Sequence, residues 1–567
     1  MKNTKLFPFI LVLISSCSIL RAQSLNEKPE AYKKGWHLED HQSSGIYGIS
    51  LERAYKEFLI GKSPKKKIIV AVIDSGIDTA HEDLKPVLWQ NKKEIPGNGI
   101  DDDKNGYTDD IHGWNFIGGR DGKNVGKDSY EAVRVYYKFK PEFGNVNVDQ
   151  NSLSGEKKMQ YQLYTKAKNQ IEAQAKEAGM YVMILKDLVA KIPSADSILK
   201  LSIGKERYTG DELQDFKPSE ASVIKAKSVL LGFFQQTRQM ENTNVSLIAD
   251  LISFYEGEKS KVEAVEKEPT RYRQDVVKDN YDDINDRFYG NNDLMGTDAS
   301  HGTHVAGIIG ASWENQVGIK GVANHVEIMT IRAVPDGDEH DKDIANAIRY
   351  AADNGALVIN MSFGKSFSPE KKWVDEAVRY AADKGVLLVH AAGNDAKNID
   401  TEDNFPSRNF ENDTLKVFTN WLNVGASGAT ETDLAASFSN YGKREVNVFA
   451  PGVKIYSSIP GGNTYGEKDG TSMASPVVAG LAALILSYYP DLSAEQVKNI
   501  IERSAMKPSS ASFTKPGTED EKTSLDQLSV TGGIVNALDA LKLASTTKGE
   551  RKYLEGSTNK SNKKLKK

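Results

Sequence analysis

The residue best placed to act as a nucleophile is Ser472, which lies in a glycine-flanked segment ahead of a long apolar run. Residues 470–476 read GTSMASP and residues 477–486 read VVAGLAALIL, which predicts a buried helix bounded by Pro490. Pro476 is expected in the first turn of this helix, where a missing N–H is tolerated. Ser472 then lies at the positive end of the helix, where developing negative charge is favoured. Alternatively, Ser472 is only an N-cap, a position that serine prefers.

An imidazole and a carboxylate upstream are the partners that such a serine needs. His301 and His304 lie at i and i+3 in segment 301–310, HGTHVAGIIG, which is apolar and rich in small residues. Two histidines at this spacing can bind a metal, but no HExxH glutamate and no cysteine ligand accompany them. Asp74 directly follows an apolar, β-branched run. A serine becomes nucleophilic when an imidazole takes its proton and a carboxylate orients the imidazole, so Asp74, His301 and Ser472 offer acyl-transfer chemistry.

Three segments in this order carry a resemblance to a known family. They are 72–78 (VIDSGID), 301–307 (HGTHVAG) and 470–476. Together they resemble the motifs of the subtilisin-like serine peptidases, the subtilase family. The resemblance covers about residues 45–118 and 290–545 and implies an endopeptidase that works through an acyl-enzyme.

The resemblance also implies a role for each residue of the site. Asp74 would orient the base, His301 would act as general base and then general acid, and Ser472 would be the nucleophile. Residues 389–394 read VHAAGN, and the asparagine that subtilases have at this position donates its side-chain N–H to the oxyanion. Asn394 matches that residue, although a Gly-Asn pair is more often only a turn.

Protein or peptide substrates are expected to pair with an extended segment beside the site. Residues 358–364, VINMSFG, are similar to the subtilase strand whose last residues wall the primary specificity pocket. The substrate-binding residues implied are Ser362, Phe363 and Gly364, and the glycine would allow close approach of a substrate backbone. The pocket floor should lie within residues 398–430, which are too divergent to align.

The elements that must position these residues alternate between strands and helices. Apolar runs typical of buried parallel strands occur at 68–73, 326–334, 356–361, 386–392 and 422–426. Helical patterns lie between them, for example at 343–353 and 369–384. The alternation predicts an α/β fold with a doubly wound, mostly parallel sheet and helices on both faces, with the chemistry at the carboxyl ends of the strands.

A large, mainly helical insertion interrupts the predicted peptidase domain of residues 67–545. The insertion spans about 120–290 and has helical periodicity at 156–190, 223–234 and 245–255, followed by a charge-rich stretch. It explains why Asp74 and His301 are so far apart in sequence. The insertion either only stabilises the fold or loops out beside the cleft and selects substrates.

Calcium is the cofactor that the sequence favours, in a structural role. Residues 101–110, DDDKNGYTDD, begin like an EF-hand loop, but position 12 is His112 rather than glutamate. Clustered aspartates repel one another unless a cation neutralises them, whereas the alternative is an acidic turn without metal. The expected ligands are the side chains of Asp101, Asp103, Asn105 and Asp110 and the carbonyl of Tyr107.

The resemblance implies a second calcium site, because subtilases carry structural calcium in comparable loops. Its ligands would be Asp83, Asn315 and the carbonyls of Val317 and Ile319.

Composition excludes some classes of protein. A net charge of −5 over 567 residues creates no strong field for nucleic acid, so no nucleic-acid partner is expected. A mean hydropathy of −0.49 excludes a polytopic membrane protein.

The N-terminus reads as an export signal, because Lys2 and Lys5 precede the apolar residues 6–14. Ordinary cleavage before Gln23 would remove residues 1–22. Alternatively, residues 14–17 resemble a bacterial lipobox whose lipidated residue is Cys17, the only cysteine. We expect a bacterial protein that is secreted, periplasmic or an outer-membrane lipoprotein attached to the membrane through that cysteine.

The remaining segments are polar. Residues 24–66 are expected to form an N-terminal extension, and residues 546–567 a basic, disordered tail. From another functional class, the chain could be a catalytically silent, calcium-stabilised binding protein that uses the insertion. The presence of all the expected catalytic groups argues against that alternative.

Overall fold

The computed structural model describes residues 31–551, except 145–147, 316, 412 and 509–511. The described residues form two compact units, one of Ala132–Thr270 and the other of residues 31–131 and 271–551. The predicted signal peptide, including Cys17, and most of the predicted tail lie outside the described residues.

The larger unit is built on a parallel sheet. The strands of the described residues are β1 (Ile68–Asp74), β2 (Gly113–Asn115), β3 (Val326–Arg332), β4 (Val358–Met361), β5 (Leu387–Ala391), β6 (Asn409–Phe410), β7 (Asp413–Val417), β8 (Trp421–Ser427), β9 (Val448–Pro451), β10 (Ile455–Ile459), β11 (Thr464–Lys468), β12 (Phe513–Thr514) and β13 (Lys522–Thr523). Within this part of the chain, seven of them form one sheet in the order β2-β3-β1-β4-β5-β8-β9, and every neighbouring pair is parallel. The other strands form two-stranded antiparallel ribbons.

Helices connect the strands. In chain order the α-helices are α1 (His41–Ser44), α2 (Leu51–Arg53), α3 (Glu131–Phe143), α4 (Gly155–Ile203), α5 (Gly210–Asp215), α6 (Ala221–Thr237), α7 (Asn244–Glu263), α8 (Tyr272–Val277), α9 (Ser300–Gly310), α10 (Asp341–Asp353), α11 (Lys371–Asp383), α12 (Thr471–Tyr488), α13 (Ala494–Arg503), α14 (Leu525–Leu528) and α15 (Ala537–Thr546). Short 3-10 turns occur at Trp36–Leu38, Lys85–Val87 and Gln150–Ser152, and a π-helical turn at Ala54–Phe58.

Separate hydrophobic cores cover the two faces of the sheet. Side chains of α9, α12, α13 and α15 pack on one face, and those of α10 and α11 pack on the other. The strands are apolar on both sides because both faces are buried, as parallel sheets require. The predicted doubly wound α/β fold is confirmed.

Helix α12 is the centre of the first core. Its 18 residues are long and apolar enough to cross a membrane, but 100% of them are buried within the protein. The small residues Gly480, Ala482 and Ala483 let it lie close to its neighbours: a Cβ on Gly480 would be 2.7 Å from Val322. This helix is therefore the packed interior of a globular unit.

The smaller unit is helical, as expected for the insertion, and α4 packs against α6 and α7. All three predicted helical segments occur, and α4 continues well beyond residue 190 to Ile203. The hydrophobic core of the smaller unit consists mainly of Leu185, Ile192, Leu199, Tyr208, Leu230, Phe234, Leu247 and Leu251.

The N-terminal segment packs into the core of the larger unit, which its polar composition did not suggest. Trp36, Ile49 and Leu51 are at most 1% exposed and belong to the same hydrophobic core as α12. The backbone N–H of Ala537, at the start of α15, donates to the carbonyl of Ile49. Sparse apolar residues within a charged segment give little periodicity, so the sequence alone did not reveal this packing.

The C-terminal segment also packs further than expected. Arg551, within the predicted disordered tail, donates through its guanidinium to the carbonyls of Leu492 and Gly385. Within the predicted tail of residues 546–567, Thr546 ends α15 and Arg551 is hydrogen-bonded, so residues 546–551 are part of the folded unit. The lysine-rich residues 552–567 lie outside the described residues.

Candidate active site

Asp74 is the last residue of β1, an interior strand of the parallel sheet. Its carboxylate side chain is 3% exposed. The Oδ1 atom accepts hydrogen bonds from the Ser75 N–H at 2.8 Å and from Nδ1 of His301 at 2.8 Å. The carboxylate thus holds the imidazole by its Nδ1–H and leaves Nε2 as the basic nitrogen.

His301 is the second residue of α9, whose start lies against the end of β1. A Cβ on Gly302 would be 2.2 Å from the carbonyl oxygen of Gly76, so only glycine allows this approach. The His301 side chain is 37% exposed, which makes the imidazole accessible to a substrate.

The other histidine of this helix has a structural role. His304 is fully buried, and its Nε2 donates to the carbonyls of Ile455 at 2.9 Å and Gly466 at 3.1 Å. Burial lowers the pKa of His304 to about 3, so this imidazole remains neutral. With Nε2 bonded to carbonyls, the pair His301 and His304 does not form a metal site.

Ser472 is the second residue of α12, and the N-cap is Gly470 at a φ of 148°. The alternative that Ser472 merely caps the helix is therefore wrong. Its hydroxyl donates to the carbonyl of Ser362 at 3.1 Å. Within the described residues this is the hydrogen bond that the hydroxyl makes, and none joins it to His301.

Pro476 lies deeper in the helix than the sequence predicted. It is the sixth residue of α12, beyond the first turn, so its missing N–H removes a hydrogen bond to the carbonyl of Ser472. The Ser362 hydroxyl donates to that carbonyl instead, at 2.9 Å.

Asn394 follows β5 and faces the start of α12. Its Oδ1 accepts hydrogen bonds from the N–H of Thr471 at 2.8 Å and from the Thr471 hydroxyl at 2.9 Å. This leaves Nδ2 as the free end of the amide, and it lies 3.4 Å from the position that a Cβ on Gly470 would occupy. The donor group of Asn394 thus points into the turn that precedes Ser472.

Ser362, Phe363 and Gly364 directly follow β4, so they lie at the same sheet edge as Asp74. The Phe363 carbonyl contacts Nε2 of the buried His390 at 2.8 Å, which supports the segment from beneath. Burial lowers the pKa of His390 to about 4.

Asn404 was not among the residues predicted from the sequence. It lies between residues 362–364 and the turn that contains Asn394. A Cβ on Gly364 would be 3.0 Å from the Asn404 Oδ1, and a Cβ on Gly393 would be 3.6 Å from it. Its Nδ2 donates to the Ala392 carbonyl at 3.2 Å. Asn404 belongs to the stretch that could not be aligned, so no motif marked it.

The acidic loop after β1 brings a different set of carboxylates together than expected. Oxygen atoms of Glu94, Asp101 and Asp103 lie within 4.8 Å of one another. Glu94 was not among the predicted ligands because it lies outside the EF-hand-like pattern. Oxygen donors clustered in this way fit Ca²⁺.

The other two predicted ligands of this loop bond to each other. Asn105 donates through Nδ2 to Asp110 at 3.0 Å, and Asp110 also accepts from the Tyr350 hydroxyl at 2.6 Å. Burial raises the pKa of Asp110 to about 6. Asp110 is therefore paired with a hydroxyl and an amide donor.

Two residues of the second predicted calcium site, Asp83 and Asn315, lie in contact. The Asp83 carboxylate accepts from Nδ2 of Asn315 at 2.6 Å, the N–H of Ile319 at 3.1 Å and the hydroxyl of Tyr465 at 2.8 Å. A Cβ on Gly318 would be 2.0 Å from this hydroxyl, so the tyrosine fills the loop. The Asp83 carboxylate is thus paired with N–H and O–H donors in this arrangement.

Comparison with known proteins places these features in a family. The profile of the Subtilase family matches residues 65–530. Subtilisin DY of Bacillus licheniformis is 42% identical over 209 residues, which cover 36% of this chain and 70% of that protein. A thermophilic serine proteinase of Bacillus sp. (strain AK1) is 44% identical over 190 residues, covering 33% of this chain and 43% of that protein. Subtilisin E of Bacillus subtilis (strain 168) is 38% identical over 211 residues, covering 36% of this chain and 51% of that protein.

Solved structures include a protease from Pseudoalteromonas arctica, 30% identical with a TM-score of 0.34 over 43% of this chain and 70% of that one. A cold-adapted subtilisin-like serine proteinase is also 30% identical, with a TM-score of 0.35 over 45% of this chain and 80% of that one. The family assignment rests on the sequence matches. Because the family match extends over most of the chain, the protein belongs to the subtilase family and is a subtilisin-like serine endopeptidase.

Proposed function

We propose that the protein is exported and hydrolyses peptide bonds of protein or peptide substrates through Asp74, His301 and Ser472. The observation that carries this proposal is the 2.8 Å contact between Asp74 Oδ1 and His301 Nδ1. The Ser472 hydroxyl, bonded to the carbonyl of Ser362, lies at the same edge of the sheet.

In the acylation step, the Ser472 hydroxyl turns about its Cα–Cβ bond from the Ser362 carbonyl towards Nε2 of His301. The imidazole accepts the hydroxyl proton as Oγ bonds to the substrate carbonyl carbon, and Asp74 stabilises the imidazolium. Nδ2 of Asn394 and the N–H of Ser472 donate to the oxyanion. His301 then gives its proton to the leaving amine as the peptide bond breaks.

Deacylation repeats these roles with water as the nucleophile. His301 takes a proton from water as the water oxygen bonds to the acyl carbon. The tetrahedral intermediate collapses, and Ser472 leaves with that proton. The enzyme is regenerated, and the second product is a carboxylic acid.

A fluorophosphonate probe tests the nucleophile. We expect covalent labelling of the wild-type protein and of Ser545→Ala, a control at an exposed serine, but none of Ser472→Ala. The measurement is the mass of the labelled protein and of its labelled peptide. Absence of labelling in folded wild type would favour the alternative, a silent binding protein that uses the helical unit.

Asn394→Ala tests the oxyanion donor. We expect kcat to fall by about 10²–10³ with little change in KM, because the donor acts on charge that develops in the transition state. Thr471→Val is the matched control, since it removes one of the two donors that orient the amide and leaves the amide present. Normal turnover of Asn394→Ala in steady-state peptide hydrolysis would contradict the assignment.

We also propose that Ca²⁺ binds the acidic loop through Glu94, Asp101 and Asp103, and stabilises the fold without entering the chemistry. Calcium at about 100 times its Kd should raise the free energy of unfolding by about 2.7 kcal/mol. Thermal unfolding with calcium and with a chelator measures this. The double variant Asp101→Asn/Asp103→Asn should lose the response, whereas Asp83→Asn should keep it. An identical calcium response in the double variant and the wild type would exclude the loop.

Export is proposed from residues 1–22, and it predicts a shortened mature chain. Mass spectrometry of the protein from a bacterial host should show a chain that begins at Gln23 or at a lipid-modified Cys17. A lipidated chain fractionates with membranes, and Cys17→Ala would release it from them. A full-length chain retained in the cytoplasm would contradict export.

A further inference from the structure

The first turn of α12 is tied to the end of β4 by a chain of buried hydrogen bonds. The Ser475 hydroxyl donates to Oδ1 of Asn360 at 2.8 Å, and Nδ2 of Asn360 donates to the Ser362 hydroxyl at 3.0 Å. The Ser362 hydroxyl in turn donates to the carbonyl of Ser472 at 2.9 Å. This series of hydrogen bonds begins at Ser475 and ends at Ser472, within one turn of the same helix.

Each hydrogen bond in this series sets the donor and acceptor roles in the next. Because Asn360 Oδ1 accepts from Ser475, its Nδ2 must face Ser362. A hydroxyl has one hydrogen, and Ser362 already accepts from Asn360, so its hydrogen points to the Ser472 carbonyl. Asn360 and Ser475 are at most 1% exposed, so water does not replace either of them.

Pro476 makes the Ser362 hydroxyl necessary. In an uninterrupted helix the N–H of residue 476 would donate to the carbonyl of residue 472, and proline has no N–H. A buried carbonyl without a donor costs about 1–3 kcal/mol. The side chain of Ser362, from a strand end 110 residues earlier in the sequence, supplies that donor.

We propose that Asn360 and the Ser362 hydroxyl are positioning residues for the nucleophile. They hold the peptide group after Ser472 and thereby set the direction of its Cα–Cβ bond and of its backbone N–H. This tie is to the backbone, so it persists when the Ser472 side chain turns from Ser362 towards His301. The proposal rests on the proposed nucleophilic role of Ser472 and assigns Ser362 a role besides lining the substrate path.

The test compares Ser362→Ala in the wild-type background and in the Pro476→Ala background. Alone, Ser362→Ala should lower kcat about 10- to 100-fold with little change in KM, since a small misplacement of a reacting group has effects of this size. Pro476→Ala restores an N–H that can bond to the Ser472 carbonyl. In that background we expect Ser362→Ala to lower kcat less than about 3-fold, because the helix then supplies the donor.

Rates are divided by active sites titrated with a fluorophosphonate, so a loss of folded protein does not count as a loss of kcat. Ser362→Thr keeps the hydroxyl and should retain more activity than Ser362→Ala. If Ser362→Ala does not fold, Ser475→Ala takes its place, since it removes the donor that orients Asn360.

An equal loss in both backgrounds, or no loss in either, would overturn the positioning role. Failure of the probe to label Ser472 in the wild type would instead overturn the proposed function, so the two failures are distinguishable.

Discussion

The contact between the Asp74 carboxylate and the His301 imidazole is the constraint around which the site is arranged. It joins the end of the interior strand β1 to the first turn of α9, across 227 positions of sequence. The helical unit, Ala132–Thr270, lies within that interval of the sequence. Gly302 permits the close approach, because any side chain there would collide with Gly76.

Burial also constrains the segment that carries the nucleophile. Helix α12 is buried along its entire length, so every polar group near its start must find a partner within the protein. Thr471 bonds to Asn394, Ser475 to Asn360, and the Ser472 carbonyl to Ser362. Side chains from the ends of β4 and β5 thus satisfy the polar groups at the start of a buried helix that contains a proline.

Much of the fold could be predicted because its signals are local. The run at 68–73 is apolar on both faces, which is typical of parallel strands, and it lies within β1 of the sheet. The packing of the N-terminal segment escaped prediction because its apolar residues, such as Trp36 and Ile49, follow no helical or strand period. Their burial depends on surfaces that α12 and α15 present only after folding.

In the loops near the site, some residues were evident from the sequence and others come together only in the fold. The aspartates of the acidic loop were evident from their spacing, whereas Glu94 joins them only through the path of the chain. Asp83 matched a family pattern, yet the hydroxyl of Tyr465 reaches it from β11, 382 residues away. Spacing along the chain does not record which donors face a carboxylate.

By itself, the sequence determined which groups are available for chemistry: a serine ahead of a buried helix, a histidine at a helix start and a carboxylate at a strand end. Those assignments depend on side-chain type and on neighbours within a few residues. Only the tertiary structure decided how the groups are bonded, with the Ser472 hydroxyl on Ser362, Asn404 between two glycines and Tyr465 on Asp83. Each of these contacts joins residues distant in sequence, and its direction is set by packing and by the requirement that buried polar atoms be paired.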